Sequence, residues 1–353
     1  MGEPLFQINI LPVGEGDCIH LRFFSDHHWY NIIIDSGPGK MDEDEDEDED
    51  EVEDLPFLKL LRSIKKKGEK VDLLCFTHSD DDHIEAATKV FAEYTDLGEL
   101  IREVWLNIPE YETKQVECKT PGGLQHISVK NAKELYQYIL WYVKEGKLVC
   151  RTRVPGDEDF HSKDVKVSAV LPDAFRLERF EEKWEKYSPR KEGLEHISTK
   201  KPSDQSKTNG ASIVLLVEGY GWRMLFTGDT FAVNLCDMVK EQEEKGENVH
   251  YDLVKLPHHG SSANISRDML NKLNCKRFVI SADGVERHSQ RRPDQETVDY
   301  LNAYGRKHGG VTLYGNYEWK HIREKDRVQI VKLTGEDIML TESISIKSEE
   351  PTC

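Results

Sequence analysis

The sequence of 353 residues predicts an α+β protein, an αββα sandwich in which two mixed β-sheets face one another and carry helices outside. Three observations lead to that class. Apolar segments of strand length cluster at the start of each half of the chain. Helical segments are interleaved after them. The residues best suited to bind a cation each follow directly on an apolar strand, so one sheet edge can collect them all. A single domain is expected over residues 1–345, followed by a tail at 346–353.

The elements follow in order. Leu5–Leu11 alternates as a half-buried strand, Val13–Asp17 is a turn, and Cys18–Phe23 opens a second strand. Trp29–Ile34 is a third, ending at Asp35-Ser36-Gly37-Pro38-Gly39. Leu55–Lys65 reads as an amphipathic helix feeding the apolar run Val71–Phe76, with a helix over Glu85–Tyr94, a strand at Val104–Ile108 and a helix at Ala132–Val143. Val165–Leu171 starts the second half, and the charged, aliphatic-poor stretch of about 176–207 reads as a polar insertion. Ser212–Glu218 and Arg223–Thr227 pair as a hairpin across Gly219-Tyr220-Gly221-Trp222. Helix Ala232–Glu244, strand Leu253–Leu256, helix Ser266–Leu273 and strand Arg277–Ser281 come next. Helix Gln295–Tyr304 and strands Val311–Tyr314 and Val328–Leu333 close the domain.

The net charge of −18 is uneven. Residues 42–51 alternate Asp and Glu without a break and Glu53 and Asp54 extend the run, so without these twelve acids the remainder carries only −6. The run is expected to be a self-repelling, disordered loop over 41–54, either inert or a contact for a basic protein partner. The rest of the chain shows no global basic surface to draw a polyanion. No apolar run approaches the ~20 residues that span a bilayer, so no membrane role is expected. The chain opens on a strand pattern, so no signal peptide is expected. Its seven cysteines are scattered and include no C-x-x-C pair, which fits a reduced, cytoplasmic protein.

The segment Thr77-His78-Ser79-Asp80-Asp81-Asp82-His83 concentrates ligand chemistry. Neighbouring carboxylates repel and resist burial unless a cation joins them. Read as H-x-D-x-D-H, the spacing turns His78 and Asp80 towards one ion and Asp82 and His83 towards a second. Later in the chain, Gly228 permits the turn that aims Asp229 over the sheet edge, and Leu256-Pro257-His258-His259-Gly260 ends a strand in two histidines. Asn209-Gly210-Ala211-Ser212 opens a strand and either brings an amide near the ions or caps a turn. Asp229 as a bridging carboxylate would hold two ions about 3.5–4 Å apart. Such ligands suit Zn²⁺ and also admit Mn²⁺.

Together these motifs resemble the metallo-β-lactamase superfamily, and within it the metallo-β-lactamase-like domain of ComEC-type competence proteins, which take up DNA. The resemblance rests on Val13-Gly14-Glu15-Gly16-Asp17-Cys18 with Ile34-Asp35-Ser36-Gly37, on Thr77–His83, on Phe226-Thr227-Gly228-Asp229, and on Leu256–Ser261. It implies the αββα fold, a di-metal hydrolase site and phosphodiester substrates, nucleic acid foremost. Asp80 stands where the wider superfamily has a histidine, as in the ComEC-like branch. The histidine usual between the first motif and the bridging aspartate has no clear counterpart, and His126, His161 and His196 are left unassigned. Among the last ligands, His258, His259 and Asp283 remain alternatives. The membrane channel that accompanies competence proteins is absent, so uptake is not expected.

The mechanism expected from these residues is attack by a metal-bound hydroxide. Asp82 would orient the water while ligating one ion, and His258 or His259, whichever is not a ligand, would protonate the leaving oxygen. Lys255 and the basic cluster Arg287, His288, Arg291 and Arg292 are candidates for phosphate contacts. Three classes compete: a nuclease or phosphodiesterase, a hydrolase of a small ester or phosphoester, and a metal-containing interaction protein without turnover. A basic groove from Arg287–Arg292 to the metals would favour the first; a closed apolar pocket would favour the second.

Overall fold

Two ladders of alternating residues set the frame. In the computed structural model, which describes residues 6–40, 54–107, 118–121, 132–178, 206–287, 289–333 and 338–339, strands β1 (Phe6–Ile10), β2 (Ile19–Ser25) and β3 (His28–Ile34) form an antiparallel meander. Helix α1 (Pro56–Lys66), strand β4 (Leu73–Cys75), helix α2 (Asp81–Glu93), strand β5 (Glu103–Trp105), helix α3 (Ala132–Lys144) and strand β6 (Val149–Arg151) complete the first half. The second half runs β7 (Phe160–His161), β8 (Val165–Leu171), β9 (Val214–Gly219), β10 (Trp222–Phe226), α4 (Ala232–Glu244), β11 (Leu253–Lys255), α5 (Arg267–Leu273) and β12 (Arg277–Ile280). It continues with β13 (Glu286–Arg287), β14 (Gln290–Arg291), α6 (Gln295–His308), β15 (Val311–Gly315), β16 (Val328–Lys332) and β17 (Ile338–Met339).

One sheet has the order β17-β1-β2-β3-β4-β5-β6 and the other β16-β15-β12-β11-β10-β9-β8-β7. Each is half antiparallel and half parallel. In the first, β3, β4, β5 and β6 are parallel; in the second, β10, β11, β12, β15 and β16 are. Parallel neighbours end on the same side, and their registers align Ile34 with Cys75 and both Phe226 and Val279 with Lys255. The segments that follow β3, β4, β10, β11 and β12 are thereby delivered to one edge.

Period-two alternation explains the layers. Ile32, Ile34, Leu73, Cys75 and Trp105 face inward and meet Leu215, Val217, Met224, Phe226 and Leu253 of the second sheet. The intervening Ile33, Leu74 and Val104 face outward, against Phe57, Leu58, Leu61 and Ile64 of α1, Val90 of α2 and Ile139 of α3. Leu216, Leu225, Val254 and Phe278 do the same beneath α4, α5 and α6. Burial of each such side chain contributes about 1.5–3 kcal/mol, so the four layers are held mainly by apolar contact. The αββα expectation holds.

Several expectations need correction. Helix α2 begins at Asp81, four residues before the expected Glu85, so Asp81, Asp82 and His83 lie on its first turn and not in an open loop. Asp80 is the N-cap residue, and acidic side chains at this end meet the positive pole of the helix dipole. Helix α6 runs through Gly305 to His308 and stops at Gly309, whose φ of +83° is the left-handed C-cap conformation. Strands β6, β7, β13 and β14, each of two or three residues, were too short to show a period. The hairpin between β9 and β10 is as expected: Tyr220 and Gly221 both have positive φ, which matches the twist of the flanking strands. Residues 41–53 of the acidic run, 179–205 of the polar insertion, His126, His196, His288 and the tail lie outside the described residues.

Candidate metal centre

The centre is built around two buried carboxylates, Asp35 and Asp229. Asp35, just beyond β3, accepts from the Thr77 backbone N–H at 2.7 Å and from the Thr77 hydroxyl at 2.8 Å. Its Oδ2 also accepts from Nδ1 of His83 at 2.8 Å. That bond engages Nδ1, so Nε2 is the nitrogen that faces the centre, 3.6 Å from Asp229 Oδ1 and 3.5 Å from Asp82 Oδ2. Against its burial, Asp82, Asp35 and Asp229 lift the ring well above the usual histidine range, so a metal at Nε2 displaces a proton.

The same logic fixes the other rings. The Thr77 hydroxyl spends its proton on Asp35, so it accepts from Nδ1 of His78 at 3.0 Å. Nε2 of His78 then faces Asp80 Oδ2 at 3.7 Å and Asp229 Oδ2 at 3.9 Å. Asn264 donates its amide to the Asp229 carbonyl at 3.0 Å, which turns its oxygen to accept from Nδ1 of His258 at 3.0 Å. Nε2 of His258 lies 3.8 Å from Asp229 Oδ2. His259 donates from Nδ1 to the Ser281 carbonyl at 3.0 Å and turns Nε2 to Asp82 Oδ2 at 3.0 Å and Asp229 Oδ2 at 3.7 Å. All four imidazoles are anchored through Nδ1 and present Nε2 to Asp229, Asp82 or both.

Among the described residues two triads of ligand atoms emerge, His78 with His83 and Asp229, and Asp82 with His83 and His259, each with its atoms within 4.8 Å of one another. A third, Asp17 with Asp35 and His83, is occupied by structural bonds to Lys255 and Thr77. Nε2 of His78 and of His83 and Oδ1 of Asp229 are buried without a hydrogen-bond partner. Leaving such atoms unsatisfied costs about 1–3 kcal/mol each, a cost that a shared cation removes. The residues present therefore fit a divalent metal.

The electrostatics agree. Burial opposes ionisation of Asp229, yet His259, His258 and His83 hold its carboxyl well below the usual range. Asp82 is also held well below it, against its burial, by His83 and His259. Burial, with His83 alongside, pushes His78 down to about 4. Burial acts the same way on His259, but Asp229, Asp17 and Asp82 outweigh it and lift the ring to about 10. Metal binding at these nitrogens displaces protons.

Backbone strain is concentrated here. Asp35, His258 and His259 have φ of +58°, +50° and +50°, in the left-handed region that costs a side chain about 1–3 kcal/mol. Gly228 has φ of +51°, and a Cβ there would meet the Thr77 Cβ at 2.8 Å, so only glycine lets the β10 turn aim Asp229 inward. Ser212, after the Asn209 turn, accepts from the Asp229 backbone N–H at 3.3 Å.

The other candidates are placed elsewhere. Lys255 does not face the opening: its ammonium is buried against Asp17. Asp283 accepts both guanidinium nitrogens of Arg287, at 3.0 and 2.8 Å, and is committed to that fork. Arg291 pairs with Glu286 at 3.0 Å and Arg292 with Asp294 at 2.7 Å, so the basic cluster is a self-neutralised hairpin. His161 is exposed on β7, away from the centre. Sequence reasoning placed Asp17 and Asp35 only within the motifs of the resemblance and gave neither a role. The available signal was partial: Asp35 directly follows the apolar run Ile32–Ile34, and Asp17, like Asp229, directly follows a glycine.

No family model matches the chain. Over 150 residues, 36% of the chain, it is 28% identical to ComE operon protein 3 of Bacillus subtilis (strain 168), and the match spans only 18% of that protein. Among solved structures, a CmlA beta-hydroxylase mutant has a TM-score of 0.43 at 14% identity, covering 89% of this chain and 52% of that one. A metal-dependent hydrolase of the beta-lactamase superfamily has a TM-score of 0.42 at 11% identity, covering 88% of this chain and 96% of that one. The metallo-beta-lactamase fold protein YhfI from Bacillus subtilis has a TM-score of 0.38 at 9% identity, covering 93% and 97%. No helix among the described residues is long and apolar enough to cross a membrane.

Proposed function

We propose that this chain, a protein of the metallo-β-lactamase fold, is a metal-dependent hydrolase of phosphodiesters, with nucleic acid as the leading substrate class. One observation carries the hydrolase reading: four imidazoles, each fixed through Nδ1, aim Nε2 at the same pair of carboxylates. His78, Asp80, Asp229 and His258 would hold one ion, and Asp82, His83, Asp229 and His259 a second. His258 would thus fill the place for which the sequence offered no intervening histidine. Zn²⁺ suits the imidazoles, and the carboxylates admit Mn²⁺. Such ions, when bound, acidify a water towards neutral pH and polarise a phosphoryl oxygen.

The chain's own groups supply orientation. Asp82 is half-exposed at the mouth, where its carboxylate can accept a hydrogen bond from an incoming water. Both histidines of the His258-His259 pair are ligands in this reading, which leaves the leaving oxygen to take its proton from solvent. Nucleic acid is favoured by the likeness of the motifs to the competence-protein domain. A second reading, a small phosphoester, is favoured by the arginine hairpin. Arg287 lies 3.6 Å from Glu15 and forks onto Asp283, and Arg291 and Arg292 have acidic partners too, so among the described residues this hairpin offers no unpaired arginine track to the centre.

The test is hydrolysis of bis(p-nitrophenyl) phosphate and of labelled single- and double-stranded DNA with Zn²⁺ or Mn²⁺, comparing wild type with Asp82→Ala. Cleavage of DNA that disappears in the variant supports the nuclease reading. Turnover of the small diester alone selects the second. Absence of turnover on every substrate by metal-loaded protein rejects both.

A further inference from the structure

Lys255 ends β11 only 1% exposed, as is Asp17. An ammonium buried this deeply is strongly destabilising unless it is paired and hydrogen-bonded. Lys255 is both: Nζ is ion-paired with Asp17 Oδ2, donates to the Gly228 carbonyl at 3.1 Å and lies 3.8 Å from Asp229 Oδ1. The other oxygen of Asp17 has no hydrogen-bond partner and sits 3.5 Å from Nδ1 of His259. A chain of contacts therefore runs from Asp229 through Lys255 and Asp17 to His259.

The surroundings hold this chain rigidly. The Thr227 hydroxyl donates to the Lys255 carbonyl at 2.8 Å, on the turn that leads to Asp229. The Asp17 loop is clamped from the second sheet, with Ser281 Oγ donating to the Gly16 carbonyl at 2.6 Å and Asn316 donating to the Leu11 carbonyl at 2.9 Å. Ser281 also accepts from His259 through its carbonyl, so one residue fixes both the loop and the ring.

We propose that Asp17 and Lys255 form a positioning pair, Lys255 fixing Asp229 and Asp17 fixing His259, which sets the affinity of the centre for metal without ligating it. The inference rests on the metal-centre reading above. The pair is neutral as a whole. Replacing both members with uncharged residues of similar size therefore removes the positioning while leaving the net charge beside the metal unchanged. A loss of affinity in the double variant is therefore not a loss of net charge.

The experiment is titration of metal-free wild type and of the Asp17→Asn/Lys255→Met double variant with Zn²⁺ and with Mn²⁺, with thermal unfolding of each metal-free protein as the control for folding. Outer-shell partners of metal-bound histidines are worth about ten- to a hundredfold in affinity. The double variant is expected to unfold near the wild-type temperature and to bind metal at least tenfold more weakly. Affinity within twofold of wild type would reduce the pair to a structural ion pair and overturn the inference. Should that double variant not fold, Asp17→Leu/Lys255→Met, an apolar pair that likewise leaves the net charge unchanged and no buried ion unpaired, is read the same way. Wild type that binds no stoichiometric metal would instead overturn the metal-centre reading, and this inference with it.

Discussion

The bond from His83 Nδ1 to Asp35 Oδ2, 2.8 Å long and fully buried, decides which nitrogen of that ring looks into the centre. Asp35 lies outside the ligand set proposed here, yet it also ties down the Thr77 backbone and hydroxyl, and through that hydroxyl the ring of His78. One carboxylate thus orients two imidazoles, their centroids 4.1 Å apart, towards the two oxygens of Asp229.

Asp35→Asn retains one accepting oxygen but no charge, and its NH2, a donor, must take the place of the other oxygen and face a donor of Thr77 or His83. Affinity for Zn²⁺ should fall by about ten- to a hundredfold, and stability by about 2 kcal/mol. Competitive chelator titration and urea unfolding read the two effects separately. Unchanged affinity with reduced stability would confine Asp35 to the fold.

Gly16 approaches the start of α2 so closely that a Cβ would lie 2.4 Å from the Asp82 carbonyl oxygen, and its φ is +147°. Backbone has no rotamer with which to escape such a contact. Gly16→Ala should therefore displace Asp82 or the Asp17 loop, destabilising the protein by about 1–3 kcal/mol and weakening metal binding although no ligand is removed. Gly246→Ala, at a positive φ with open space around it, is the control: it carries backbone strain without touching the centre. Equal effects of the two substitutions on metal affinity would exclude the proposed contact.

Much of this was legible in the chain. Val165–Leu171 and Ala232–Glu244 have the bounds expected from their periodicity. The ligand candidates His78, Asp80, Asp82, His83, Asp229, His258 and His259 converge, because strand-end position in parallel neighbours carries over directly into space. Partnership was not legible. Lys255 and Arg292 look alike as basic residues near a motif, but one is sealed against Asp17 and the other paired with Asp294, and nothing in the sequence announces that Lys255 meets a residue so far away along the chain. Likewise the four-residue error at the start of α2 came from reading acidic residues as loop-formers when a helix N-terminus stabilises them.

Metal should stabilise the fold in proportion to its occupancy of the native state. At free Zn²⁺ a hundred times its dissociation constant the gain is about 2.7 kcal/mol, which for a chain of this size is a rise of several degrees in Tm. Asp229→Ala removes the carboxylate that all four Nε2 atoms surround or adjoin, so the rise should vanish in that variant. Differential scanning calorimetry with and without EDTA checks it. A metal-induced rise that survives in Asp229→Ala would locate the ion elsewhere.

A separate pH dependence arises on the first sheet, remote from the ligands. His20 is buried, and its Nε2–H donates at 2.9 Å to the Asn31 oxygen, whose orientation is set by donation from the Asn31 amide to Glu69 at 3.0 Å and to the Lys70 carbonyl at 2.9 Å. Burial pushes His20 down to about 4, with Lys67 and Arg22 adding to the effect. Between that value and the ordinary histidine value of about 6.5, the unfolded chain binds a proton that the native chain refuses. Stability from this residue is therefore complete above about pH 6.5 and is lost as the pH falls towards 4, by about 2–3 kcal/mol at pH 4.5. In the centre His83 and His259 are lifted and titrate with the opposite sign, while His78 is pushed down as His20 is, so the effect is read as a difference between wild type and His20→Gln, whose amide keeps the bond to Asn31 and cannot take up the proton. Urea unfolding at pH 7 and pH 4.5 should show the variant losing less stability than wild type by that amount, and equal losses in the two proteins would show that His20 accepts its proton in the folded state.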